Sequence, residues 1–158
     1  MGMTNFERMI RMAEEVFDAH HDPDQLQVDE QVIEKLMQLH PASVTELDEG
    51  DGPVVWILLI PTTAALMQQF ISGKISEEQL LDETTPESSY DALYLCSAMV
   101  LPEYRKQGLA TKLTLEAIAR IRKQHPIQYL FVWPFTAEGK SLASSIAHAC
   151  QLQLLERI

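Results

Sequence analysis

Arg105, Lys106 and Lys112 bracket a single glycine, Gly108, where an apolar run gives way to an amphipathic one. Leu93, Leu95, Met99, Val100 and Leu101 form a run short enough for a buried strand. Pro102 stops it by removing a ladder donor. From Leu109 the apolar residues fall at helical spacing through Leu113, Ala117, Ile118 and Ile121. A helix opening straight after such a loop presents unpaired N–H groups and the positive end of its dipole. That end is an anion site, with phosphate its commonest guest, and three cations stand around it. The same residues also fit an ordinary strand–helix connection whose charges are merely solvated. The physics of a helix start does not separate the two.

The run Val100-Leu101-Pro102-Glu103-Tyr104-Arg105-Lys106-Gln107-Gly108-Leu109-Ala110 resembles the acetyl-CoA signature of the GNAT family of N-acetyltransferases, V-x-P-x-[YF]-[RQ]-x-x-G-x-[GA], at every fixed position. The strand-like run before it and the amphipathic run after it supply the context this signature needs. The resemblance is firm from Ala92 to Phe135, extends to Cys150 and is faint before residue 90. It implies an α/β acyl-CoA N-acyltransferase fold. Such a fold has a mixed, mostly antiparallel central sheet with a splayed parallel strand pair, flanked by helices.

What the resemblance carries over is mostly backbone. Ala98, Met99 and Val100 would pair with the pantetheine amides of acetyl-CoA or coenzyme A, with the Val100 N–H aimed at the thioester oxygen. Lys106, Gln107, Gly108, Leu109, Ala110 and Thr111 would wrap the pyrophosphate with their N–H groups. Arg105 would brace the loop or reach a phosphate.

The chemistry of proton transfer carries over less well. The family often places an acidic Tyr on the helix after the next strand; the window Ser144–His148 holds none, and Ser145 and His148 are its polar-tipped candidates. Glu138 stands where the family often has Asn. Glu46, Asp48, Glu103 and Tyr94 are scattered candidates for a base, with Glu103 expected to face solvent. Cys96 as a nucleophile competes with Cys96 as a buried structural thiol, and no His or acid at recognisable spacing supports the former.

The elements that position these residues are legible along the chain, which at 158 residues is expected to form a single domain over 1–158. Thr4-Asn5-Phe6-Glu7 is a capping box opening a helix to about His20, with Phe6, Met9, Ile10, Ala13, Val16 and Phe17 on one face. The turn His20-His21-Asp22-Pro23-Asp24 lacks the further ligands a metal would need, so no metal is expected. Asp29 caps a second helix that Pro41 closes. A weak strand from Ser43 to Asp48 and a doubly buried one from Val54 to Ile60, ended by Pro61, make a hairpin around Glu49-Gly50-Asp51-Gly52. A helix from Thr62 or Thr63 to Ile71 ends at Gly73, and Ser76-Glu77-Glu78-Gln79 caps a short helix to Leu81. A strand from Ile127 to Trp133 should run parallel to the signature strand and splay from it, with Trp133 and Phe135 near the opening as acceptor pocket or rim packing. Thr136 caps a helix facing inward with Leu142, Ala143, Ile146 and Cys150. A last strand spans Leu152–Leu155.

Net charge is −11, which argues against nucleic acid and anionic membranes as partners. Residues 1–90 carry 4 Lys/Arg against 18 Asp/Glu, and residues 91–158 carry 8 against 5, so an anionic cofactor is met by the second half. The acidic half either attracts a cationic acceptor or simply keeps the protein soluble. No apolar run reaches membrane-span length, no signal peptide is seen, and Cys96 and Cys150 read as reduced thiols, so a cytoplasmic protein is expected. The expected activity is an acyl-CoA-dependent N-acyltransferase, most simply acetyl, acting on a small-molecule or protein amine. The alternative is a non-catalytic CoA-sensing or interaction module on the same fold. The last strand leaves a sheet edge, which a second subunit in a homodimer is one way to cover.

Overall fold

The computed structural model describes residues 3–20, 24–26, 28–86, 89–134 and 137–157, with residues 16–20 described through their backbone alone. The helices are α1 (Asn5–His20), α2 (Glu30–Leu39), α3 (Ala64–Ile71), α4 (Glu77–Glu83), α5 (Leu109–Arg122) and α6 (Ala137–Cys150). The strands are β1 (Val44–Asp48), β2 (Pro53–Thr62), β3 (Ala92–Val100), β4 (Tyr129–Val132) and β5 (Gln153–Glu156). They form one mixed sheet in the order β1-β2-β3-β4-β5, antiparallel between β1, β2 and β3 and parallel between β3, β4 and β5. The expected mixed sheet with a splayed parallel pair is the one that forms.

Local signals place most of these elements. The Thr4 hydroxyl accepts from Glu7 N–H at 3.1 Å, and Asp29 Oδ1 accepts from Val32 N–H at 2.9 Å. Ser76 and Gln79 close a reciprocal capping box at the start of α4. The doubly buried strand is confirmed, since every residue of β2 is buried. It does not end at Pro61, however, but runs on to Thr62. Asp91 N–H donates to Thr62 O, so Thr62 faces β3 and Pro61 faces the other edge, where β1 pairs no further than Leu58. A residue without an N–H therefore costs the ladder nothing there. β4 is shorter than the expected Ile127–Trp133, because Gln128 N–H is drawn to Asp91 O before the parallel ladder begins. Residues 21–23, Phe135 and Thr136 lie outside the described residues, so the proposed turn, the rim role of Phe135 and the Thr136 cap do too.

The sheet separates two apolar layers. On one side Trp56, Ile60 and Tyr94 meet α1 and α3: Phe6 packs edge-on to Trp56 at 5.5 Å, and Phe70 packs on Tyr94 at 4.9 Å. On the other side Ile57 and Leu59, which alternate with Trp56 and Leu58, face α5 and α6. The first layer holds a buried polar cluster drawn from distant segments. Glu77, 3% exposed, accepts from the Tyr94 hydroxyl at 2.6 Å and from Leu26 N–H at 2.7 Å. Beside it the Arg157 guanidinium pairs with Asp24, donates to Ile75 O at 2.9 Å and stacks over the rings of Phe70 and Trp133.

Removing the Glu77 carboxylate strands two buried donors, each costing roughly 1–3 kcal/mol when unpaired. Glu77→Leu is therefore expected to destabilise the fold by about 2–5 kcal/mol and Glu77→Gln by less, read from urea denaturation. A loss under about 1 kcal/mol for the leucine variant would mean that the cluster is not closed to water.

Candidate functional site

The site begins with a failure to pair. β3 and β4 are in register only at Ala92–Tyr129, Leu93–Leu130 and Tyr94–Phe131, and then diverge. Just past this point β3 bulges: Leu58 pairs with Ser97 and Leu59 with Leu95, leaving Cys96 without a partner on β2. A bulge bends its strand and sharpens its twist. β4 instead follows β5, and Arg157 N–H extends that ladder to Val132 O at 3.0 Å. Pro134, with no donor, follows Trp133 where β4 would have to return.

A cleft of about 350 Å³ fills the divergence. Its apex lies at Leu95, Cys96 and Leu59; its walls are β3, the Val132–Pro134 segment, α5 through Ala110 and Thr114, and α6. One edge of β3 is open to it. Leu101 N–H donates to Val54 O at 2.9 Å, so the alternation of an antiparallel ladder turns Met99 toward β2 and the N–H and C=O of Val100 and Ala98 toward the cleft. Arg105 confirms this facing, since its Nε donates to Val100 O at 3.0 Å from the cleft side. Of the three residues expected to offer backbone bonds, Met99 thus has its N–H and C=O turned to β2 instead, although it still borders the cleft.

At the mouth stands the signature loop. Tyr104 N–H and Arg105 N–H close a turn onto Leu101 O and Pro102 O. Among the described residues no acceptor meets the N–H groups of Lys106, Gln107, Gly108, Leu109, Ala110 or Thr111, and the α5 ladder starts only with Lys112 N–H to Gly108 O at 3.1 Å. Two left-handed residues turn the loop: Gly108 at φ +74° and, less expected, Lys106 at φ +65°. A side chain in that region costs about 1–2 kcal/mol, so the loop holds its amides outward under strain. No carboxylate pairs with Arg105, Lys106 or Lys112 among the described residues. A cradle of unpaired amides at a helix start, ringed by free cations, suits a diphosphate.

The proton-transfer candidates are not gathered here. The inward face of α6 is Leu142, Ala143, Ile146 and Ala147, which turns Ser145 and His148 outward. Ser145 borders a separate shallow groove with Thr111 and Glu138, and His148 is exposed. Glu103 is exposed, as expected, and there Arg8 grips it with two hydrogen bonds, 2.8 and 3.0 Å, which pull its carboxyl down to about 2. Glu46 accepts from Trp56 Nε1, and Asp48 accepts from Gly50 and Gly52 N–H in the hairpin turn. Tyr94 is sealed against Glu77, and burial and that carboxylate push its hydroxyl well above the usual phenol range. Cys96 lines the apex, but burial and the charge of Glu77 hold it as a thiol. Sequence reasoning missed the Glu77–Tyr94 and Asp24–Arg157 cluster; Glu77 looks like any acidic first-turn residue after a Ser cap. Among the described residues no three His, Cys, Asp or Glu gather as a metal site requires, and no helix is long and apolar enough to cross a membrane.

Residues 68–142 match the family model described as acetyltransferase (GNAT) family, a span that runs from α3 through the signature loop into α6. The family resemblance carried by Val100–Ala110 is shown by that match, which covers residues 68–142. No curated protein and no solved structure matches the chain.

The strain at Lys106 is separable from its charge. Lys106→Gly relieves the left-handed backbone and removes one cation. The fold is expected to hold its stability or gain up to about 1 kcal/mol, while affinity for CoA falls severalfold and loses part of its salt dependence, Arg105 and Lys112 remaining. Denaturant melts and calorimetry at low and high salt check both halves.

Proposed function

We propose that the chain is an acyl-CoA-dependent N-acyltransferase that transfers an acyl group, acetyl in the simplest case, directly to the primary amine of a small molecule or a protein. The observation that carries this reading is the continuity of the six unpaired amides at 106–111 with the open edge of β3 and the apolar cleft. An anion cradle, a strand edge with free amides and a narrow apolar end match the diphosphate, the pantetheine arm and the acyl thioester of acetyl-CoA in that order.

In this reading Lys106, Gln107, Gly108, Leu109, Ala110 and Thr111 hold the diphosphate through backbone N–H groups, and Arg105 braces the loop through Val100 O. Ala98 and Val100 provide the strand-edge donors. Ala98 is two residues nearer the apex, so it is the better placed to receive the thioester oxygen, with Val100 bonding the pantetheine arm; this exchanges the role first given to Val100. The amine attacks the carbonyl carbon, the N–C bond forms, and the C–S bond breaks with its electron pair leaving on sulfur. The fixed donor is worth most as the carbonyl oxygen becomes an anion. The amine must arrive neutral and lose its second proton to base or water. The chain acts in this reading as a cytoplasmic enzyme and needs no nucleic acid or membrane.

The absence of a tyrosine acid in Ser144–His148 favours a second reading, a CoA-sensing module that binds without turnover. Thiol release measured over a broad amine panel separates the two, since turnover of any amine removes the sensor. Binding itself is tested by calorimetry with acetyl-CoA and with CoA; no heat at millimolar ligand ends both readings. Gly108→Glu puts a carboxylate among the cradle amides; a Cβ there meets nothing within 4 Å, and the left-handed backbone adds a strain of about 1–2 kcal/mol. It is expected to stay folded by circular dichroism and to bind CoA at least about tenfold more weakly. Retained affinity in the folded variant would mean that the loop does not hold the diphosphate.

A further inference from the structure

The apex of the cleft is built from side chains that lie beyond the diverging strands. Ile57 and Leu59 of β2 stand beside Ala98 and Leu95 in the ladder, and both line the cleft. Ile146, two turns into α6, closes the deep end from the helical side. A cofactor entering from the loop passes Ala110 and Ala98 and reaches this aliphatic wall last. No Lys or Arg lines the cleft among the described residues. Its one charged side chain is Glu138, in the first turn of α6 near the mouth, where it also borders the groove beside Thr111.

We infer that the site selects neutral aliphatic acyl groups, from acetyl up to about butyryl, and rejects carboxyacyl groups such as succinyl. This rests on the acyltransferase reading above and deepens it. A second carboxylate carried to the apex would be taken out of water among Leu59, Leu95 and Ile146 with no cation to meet it, and would pass the like charge of Glu138 on the way. Desolvating an unpaired carboxylate is among the largest penalties a site can impose. Added methylenes meet the opposite situation, since each exchanges water for aliphatic contact until Ile146 and Leu59 stop the chain. Ala143, the small residue one turn before Ala147 on the inward face of α6, sets how much width the wall leaves.

Competition calorimetry on the whole chain with CoA, acetyl-, propionyl-, butyryl- and succinyl-CoA tests the inference without a known acceptor. Acetyl-, propionyl- and butyryl-CoA are expected to bind at least as tightly as CoA, and succinyl-CoA at least about tenfold more weakly than propionyl-CoA. A smaller penalty for succinyl-CoA overturns the inference, as does butyryl-CoA binding about tenfold more weakly than acetyl-CoA. Failure of CoA itself to bind overturns the acyltransferase reading and this inference together, so the two failures are told apart by the CoA titration. Ala143→Leu narrows the wall and is expected to raise the butyryl-to-acetyl ratio of dissociation constants about tenfold or more. CoA affinity, measured on the same variant, reports whether it has folded, and Ala143→Val gives the same ratio change in smaller degree if leucine does not fold. An unchanged ratio in a folded variant places the acyl group elsewhere.

Discussion

The structure depends on two parallel strands that part after three paired residues. Backbone hydrogen bonding favours zipping such strands together, so something must hold them apart. The bulge at Cys96 turns β3 away, while β5 and Arg157 N–H hold β4 on its own course as far as Val132. The donorless Pro134 follows at once. Between them the cleft is propped by small or apolar residues of α5 and α6, which fill its sides without bonding to the free strand edge. The open N–H groups of Ala98 and Val100 and the Ala98 C=O are the result, while the Val100 C=O is taken by Arg105. Unpaired backbone is costly when buried, and here it is kept open to an opening that a ligand can fill.

The loop at the mouth repeats the same economy of form. Six amides are left without acceptors among the described residues, and two left-handed residues fix their direction. Glycine takes that conformation easily at 108, but Lys106 takes it under strain. Arg105 then ties the turn back to β3, and the Arg8–Glu103 pair ties the turn's first residues to α1, 95 positions earlier. Preorganisation of this kind is set during folding, so in the proposed reading a diphosphate would meet donors already aimed, at little cost in loop freedom.

What the sequence made legible follows the reach of each interaction. The Ser76 and Asp29 caps, the hairpin, the signature strand, Gly108 and the start of α5 are decided by neighbours within a few residues, and all are where local chemistry puts them. Pro61 misled because its meaning depends on which edge of β2 has a neighbour, a fact about β1 rather than about Pro61. Glu103 is exposed as expected, but its partner Arg8 lies on α1, beyond the reach of local spacing. The Glu77–Tyr94 and Asp24–Arg157 cluster draws on four separated segments, and no spacing rule connects them. Ser145 and His148 illustrate the converse: a helical window names its polar residues, but only the packed face decides which of them see the cleft.

The missing acid bears less on catalysis than it first suggests. A free thiol titrates at about 8.5, so releasing it as thiolate at neutral pH costs roughly 2 kcal/mol over releasing the thiol, or about thirtyfold in rate. The amine side is more demanding, because a protonated amine cannot attack at all. Among the described residues the cleft is lined by one carboxylate, Glu138, and by no Lys or Arg. Negative charge near a thiolate is unfavourable, but negative charge near an arriving ammonium is favourable. In the proposed reaction that carboxylate would favour an arriving ammonium rather than the departing sulfur, and the open donors of β3 would face the oxyanion formed between those two events.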